Sequence, residues 1–316
     1  MGSGDVYKRQ EYPWVNAGSV ENKGYEFELS YRNVLGDFRY EISGNFAKVD
    51  NEVLSLSGQD AKPIIGGEVD NNTFVTVTEV GQPIGAFYVY QMEGIFQSTT
   101  EILTHAYQGP NVKPGDVKYS DLSGPDGVPD GTIDAYDRIH AGSAIPDFIY
   151  GLTVNLFYKD FDFSAFFQGV QGNKVYMQIN KDIEGFYRAF PVTKRFYDNH
   201  WTPQNQSNEF PRAAWSGATN NNRPSTRFIE DGSYGRLKNI QIGYSLPEGL
   251  RQKVRITQFR IYLSAQNLFT LTRFSGLDPE MQTSENAAGE GDRAVGIDWG
   301  TYPVAKTYLI GLNITF

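Results

Sequence analysis

The densest cluster of side chains able to do chemistry is acidic. Asp116, Asp121, Asp126, Asp130, Asp134 and Asp137 fall within one stretch whose only basic residue is Lys118. Calcium takes hard oxygen ligands, and the spacing resembles a calcium loop built around a sharp-turn glycine. With Gly131 as that glycine, Asp126 takes position 1, Asp130 position 5, Thr132 position 7 through its carbonyl, Asp134 position 9 and Asp137 position 12. Val128 stands at position 3, where the pattern wants Asp or Asn. Asp121 or Ser123 would have to supply the missing oxygen. Asp at position 12 also reaches less far than Glu. A bound calcium would be structural, neutralising like charges and stiffening the loop. The competing reading is a solvated acidic turn, held by the backbone preferences of Asp and Gly.

A second cluster is aromatic. Tyr187, Phe190, Phe196, Tyr197, His200, Trp201 and Trp215 lie in the Asn-rich stretch 170–233. Aromatic faces stack on sugar rings and amides bond hydroxyls, so Trp201 and Trp215 are the candidate substrate contacts. The same rings would equally pack the loop on itself. Catalytic chemistry has little support. His105, His140 and His200 are far apart and lack metal-ligand spacing. Glu230 and Asp231 are adjacent and point to opposite faces of an extended chain, unlike a glycosidase pair. No phosphate-binding glycine loop is present. The 316 residues contain no Cys, which excludes disulfides, Cys-based zinc and a thiol nucleophile. A net charge of -9 without a basic run argues against nucleic acid.

These loops need a frame, and the frame reads as β-strands. Apolar residues alternate with polar ones at Tyr25–Tyr31, Phe38–Phe46, Phe148–Tyr158, Phe161–Phe167, Ile240–Leu246 and Phe259–Ala265. The last stretch, AKTYLIGLNITF, puts Tyr308, Ile310, Leu312, Ile314 and Phe316 on one face. Such a strand, tilted near 40°, rises about 20 Å, close to the apolar band of an outer-membrane barrel. About eight to ten strands are expected. Short turns (33–37, 159–160 and 247–254) alternate with long connections (51–83, 97–147, 170–233 and 272–305). One plain rim and one elaborate rim are the signature of outer-membrane barrels. Alternation alone does not say which face is outside. A secreted, calcium-stabilised β-rich carbohydrate-binding or adhesion module is the alternative. Residues 1–13 read as a leader foreign to this pattern, with the barrel part spanning 14–316. No secretory signal or membrane helix is visible.

Several pieces, in order, resemble the C-terminal portion of SusC/RagA-like TonB-dependent outer-membrane transporters. They are Asn16–Leu29, Pro114–Arg138, Gly169–Tyr176, Arg227–Pro247, Ser264–Glu280 and the terminal YLIGLNITF. Gly235 departs from the family pattern, which has a larger residue there. The resemblance implies an all-β fold: the C-terminal strands of an antiparallel barrel of about 22 strands, with a plugged lumen. It implies a non-enzymatic importer of oligosaccharides or peptides, lidded by a SusD-like surface lipoprotein. Energy would come from the TonB complex, engaged through parts outside this chain, and the wall would face outer-membrane lipid.

Overall fold

A computed structural model describes residues 18–57, 62–70, 72–186, 189–215, 219–280 and 291–316. The expected leader and Tyr187 lie outside the described residues. The chain opens with a long hairpin, β1 (Gly18–Leu35) and β2 (Phe38–Leu56), turned by Gly36 and Asp37. Gly36 has φ of +61°, a conformation that costs glycine little and other residues more. A first excursion follows, carrying β3 (Ile64–Asp70), β4 (Thr73–Thr78), β5 (Ala86–Tyr90), β6 (Met92–Ile95), helix α1 (Thr99–Thr104), β7 (Val117–Tyr119) and β8 (Arg138–His140). The chain returns as β9 (Phe148–Tyr158) and β10 (Phe161–Gln171). A second excursion holds β11 (Lys174–Tyr176), α2 (Gln178–Glu184), α3 (Lys194–Asn199) and β12 (Ile229–Asp231). Then come β13 (Tyr234–Ser245), α4 (Glu248–Val254), β14 (Gln258–Thr272) and β15 (Thr307–Thr315).

Seven long strands form one antiparallel sheet in the order β1-β2-β9-β10-β13-β14-β15. This sheet is a wall. Eight short strands make three smaller sheets within the excursions. The described residues thus hold fifteen strands rather than the expected eight to ten: seven in the wall and eight too short to show a period in sequence. Two of the expected short turns are tight pairs, Gly36-Asp37 and Lys159-Asp160. The third contains α4, because Pro247 presets a helix entry and the chain continues into about two turns of helix.

The register of the wall sorts residues into rows. One row near the turns runs Leu35, Phe38, Tyr158, Phe161, Tyr244, Ile261 and Leu312. The next on that face runs Asn33, Tyr40, Leu156, Phe163, Ile242, Leu263 and Ile310. Further rows carry Tyr31, Ile42, Val154, Ala165, Ile240, Ala265 and Tyr308, then Leu29, Leu152, Phe167 and Phe269, then Phe27, Phe46, Tyr150 and Leu271. The opposite face is mostly polar: Ser30, Ser43, Thr153, Asn239, Gln266 and Thr307 share one row, which Phe166 interrupts. Arg32, Glu41, Asn155, Ser164, Gln241 and Ser264 share another, which ends on Leu309. Five apolar rows from Leu35 to Phe27 span eight residues, or about 20 Å after tilt.

The buried core lies elsewhere. Val69, Val75, Phe87, Val89, Tyr176, Phe228, Ala294 and Ile297 pack together in the excursions. A second cluster gathers Tyr90, Ile95, Val117, Tyr119, Ile133 and Trp201. The excursions thus pack into a domain with its own core.

Candidate functional site

The functional parts are the two faces of the wall and the domain at its elaborate rim. On the apolar face the side chains are bare: Leu29 is 77% exposed and Ile310 78%. A water-facing sheet would hide these rows against a second layer. Among the described residues nothing covers them, and the aromatics Phe38, Tyr158, Phe161 and Tyr244 gather at the turn end as an interfacial girdle does. Phe161 and Tyr244 pack across strands with ring centroids 4.8 Å apart, tilted by 45°. No helix among the described residues is long and apolar enough to cross a membrane, which leaves a strand wall untouched.

Glycines let rings lie flat on this wall. Tyr150 covers Gly169, where any Cβ would collide with its ring, and its hydroxyl sits 3.1 Å from where a Gly235 Cβ would be. Tyr262 covers Gly311 on the polar face in the same manner. Laying an aromatic over a strand glycine restores the packing that the glycine lacks.

The rim domain is fastened to the polar face by charge. Arg236 of β13 donates Nε to Thr270 Oγ1 at 2.8 Å and Nη1 to Glu280 Oε2 at 2.7 Å, and it pairs with Asp278 through Nη2. Asp278 also accepts from the amides of Glu280 and Val304. Burial would raise the Asp278 carboxyl, but the Arg236 bond and those amides outweigh it and hold the group below its ordinary value. Two segments quoted above for their resemblance, Arg227–Pro247 and Ser264–Glu280, are thus the halves of one ion network. Deeper in the rim domain, Lys181 pairs with Asp70, joining the second excursion to the first. Arg212 grips both oxygens of Asp116, at 2.7 and 3.2 Å.

The six candidate calcium residues do not assemble a cage. Asp130 Oδ1 accepts from the Thr132 amide and Asp134 Oδ1 from the Tyr136 amide. Asp137 is fully buried and takes the amides of Leu122, Ser123 and Asp134. Asp121 Oδ2 accepts from the Gly131 amide, while its Oδ1 is buried with no hydrogen-bond partner among the described residues. Asp126 is exposed, as is Thr132. Among the described residues no three acidic or imidazole side chains converge on a point. Calcium needs six or more oxygens around it, and this donor set, spent on backbone amides, does not fit. The carboxylates act as turn caps, which is why the spacing imitates a cation loop.

The aromatic pair also separates. Trp201 is 8% exposed, sits in the second core cluster, and donates Nε1 to Gln97 Oε1 at 2.7 Å. It is a packing residue, contrary to the expected substrate contact. Trp215 is 60% exposed and stays available to a ligand. Phe196 is buried and stacks with His200 at 5.7 Å, whereas Phe190 and Tyr197 are exposed. A chamber of about 400 Å³, missed in the sequence, opens between Glu184, Arg195, Glu209, Arg227 and Arg273. Glu184 is bonded by Arg195 and Thr193, and Arg227 is held 3.7 Å from it. Among the described residues the two terminal nitrogens of Arg227 find no acceptor. Such a chamber offers guanidinium donors to anionic or hydroxyl-bearing groups. Its residues are scattered along the chain in no motif.

No family model matches the chain. It is 32% identical over 305 residues to TonB-dependent receptor P3 of Formosa agariphila, covering 95% of this chain and 29% of that protein. It is 30% identical over 308 residues to TonB-dependent receptor SusC of Bacteroides thetaiotaomicron, covering 95% of this chain and 27% of that protein. A solved RagAB peptide transporter superposes with a TM-score of 0.72 at 22% identity, over 95% of this chain and 30% of the other, and establishes the fold. The chain therefore spans less than a third of the length of the relatives it matches. Those relatives are receptors and transporters, not enzymes. With a sequence match over 95% of its length, the same fold and a bare apolar outer face, the chain belongs with the SusC-like TonB-dependent receptors of the bacterial outer membrane and corresponds to their C-terminal portion.

Proposed function

We propose that this chain supplies wall and rim to a TonB-dependent importer that carries oligosaccharides or peptides across the outer membrane. A SusD-like lipoprotein would close over the rim, and the TonB complex would act through parts of the protein outside this chain. The observation that carries the reading is the wall itself, a sheet apolar on one face and mostly polar on the other, whose apolar face is bare among the described residues. A soluble binding module would bury the apolar rows. The polar rows would line the passage, and the rim domain would hold cargo and lid. Exposed Trp215 and the guanidinium chamber are the parts suited to polar cargo. The test is uptake by a strain with and without the intact receptor. Loss of growth on an oligosaccharide or peptide source, reproduced by removing TonB, is the expected result. Unchanged uptake across such sources, or uptake that persists without TonB, would contradict the reading.

A further inference from the structure

Above the apolar band, at the elaborate rim, the outer face of the wall carries a groove of about 660 Å³. Its floor is Gly235, its sides Tyr150 and Leu271, and its upper end Ser233 and Arg273. Gly169, Gly235 and Leu271 occupy the top apolar row beside Tyr150; Gly169 lies under the Tyr150 ring, so the notch in this row is at Gly235. Leu271 is 70% exposed. Arg273 is exposed and, among the described residues, makes no hydrogen bond or ion pair. The nearest lining carboxylate, Asp231, is occupied by the amide and hydroxyl of Ser233. That hydroxyl bond first, and the amide after it, hold the Asp231 carboxyl below its ordinary value against the opposing effect of burial, with weaker attraction from the Lys174 and Arg273 cations.

We propose that this groove is a lipid site, seating one phosphate-bearing lipid of the outer leaflet. The acyl chain would lie in the Gly235 notch against Tyr150 and Leu271, and the phosphate would meet Arg273. The occupant follows from continuity: the groove opens directly from the lipid-facing rows, and the exposed Arg273 guanidinium, only weakly coupled to Asp231, stands where headgroups begin. A guanidinium matches phosphate oxygens in pairs, and an exposed one at this depth draws anionic lipid. Arg273 also borders the guanidinium chamber, so the test reads lipid retention in the absence of cargo.

The test uses the full-length receptor in a neutral detergent, with native mass spectrometry after adding phosphatidylglycerol or diacylglycerol of the same acyl chains. Phosphatidylglycerol should be retained in preference to diacylglycerol, by about five-fold for one such charge contact. Arg273→Gln should remove that preference. Gly235→Leu, which fills the notch at an ordinary backbone conformation, should weaken both lipids. Lys159→Gln at the opposite rim should change neither. Retention unaffected by both Arg273→Gln and Gly235→Leu would overturn the site. So would full displacement of the lipid by inorganic phosphate, which would reduce it to a simple anion contact. Arg273 is exposed and outside any core, so its variant tests the proposal even where Gly235→Leu folds poorly.

Discussion

The wall and the rim domain are made from the same chain and nearly the same residue types, yet they bury opposite things. In the wall, Phe27, Leu29, Tyr31 and Ile310 are exposed, and strand pairing carries the structure. In the rim domain, Phe87, Val89, Tyr119 and Tyr176 are inside, and charges such as Asp116 and Lys181 are inside with their partners. A sheet in lipid has its apolar solvent supplied by the membrane, whereas loops in water must make their own. The comparison teaches that exposure of a large apolar residue has no fixed meaning until the solvent on that side is named. It also locates the seam, at Arg236, where one strand of the wall holds the rim domain by charge.

Breaking the seam should cost most. Arg236→Ala leaves Asp278 buried without its cation, and a half-removed buried pair costs about 3–5 kcal/mol. Urea unfolding of the receptor in detergent, with limited proteolysis in the 273–280 segment, would register it. A charge in the wall's lipid band ranks next. Leu29→Arg should cost about 2–4 kcal/mol in a bilayer, against roughly nothing for Ser30→Arg on the polar face. Folding titrations of the two variants in lipid vesicles give the contrast directly, and equal costs would erase the distinction between the faces.

Smaller effects sharpen the rim side. Trp201→Phe should lose about 1 kcal/mol with its bond to Gln97, while Trp215→Ala should leave stability within about 0.5 kcal/mol. Thermal unfolding of the two variants separates a packing ring from an available one. The smallest effect is a pH dependence. Asp278 is held below its ordinary value, so its contribution is present above the unfolded carboxylate pKa, near 3.9. That contribution is lost as pH falls through the lower folded value. Stability measured from pH 6 down to pH 3 should therefore decline at the acid end, and Arg236→Ala should flatten the decline.

The sequence was readable where one solvent contrast acted on one strand. Phe148–Tyr158 and the strand from Phe161 alternate cleanly because lipid and lumen flank them on every second residue. The upper half of β2 was not readable: beyond Phe46 the chain runs through Ala47, Lys48, Val49 and Asp50, where water meets both faces and no period is imposed. The short strands of the rim domain, such as Ala86–Tyr90, are almost wholly buried and too brief to show alternation. Its ion pairs join residues far apart, Asp70 with Lys181 and Asp116 with Arg212, so no local spacing announces them. The acidic loop misled for a related reason: Asp caps turns and ligates calcium with the same oxygens at the same short spacing. Trp201 and Trp215 stand in similar polar company, and only packing tells the buried ring from the exposed one.

The central claim is that the wall separates lipid from an aqueous lumen. The chain lacks cysteine, so single cysteines introduced from Phe27 to Arg32 can each carry one spin label. Accessibility to oxygen, which concentrates in lipid, and to a water-soluble nickel complex should be measured in bilayers. The predicted result is strict alternation, with Phe27→Cys, Leu29→Cys and Tyr31→Cys seen by oxygen and Glu28→Cys, Ser30→Cys and Arg32→Cys seen by nickel. Nickel access at all six positions, or alternation in the opposite phase, would contradict the account.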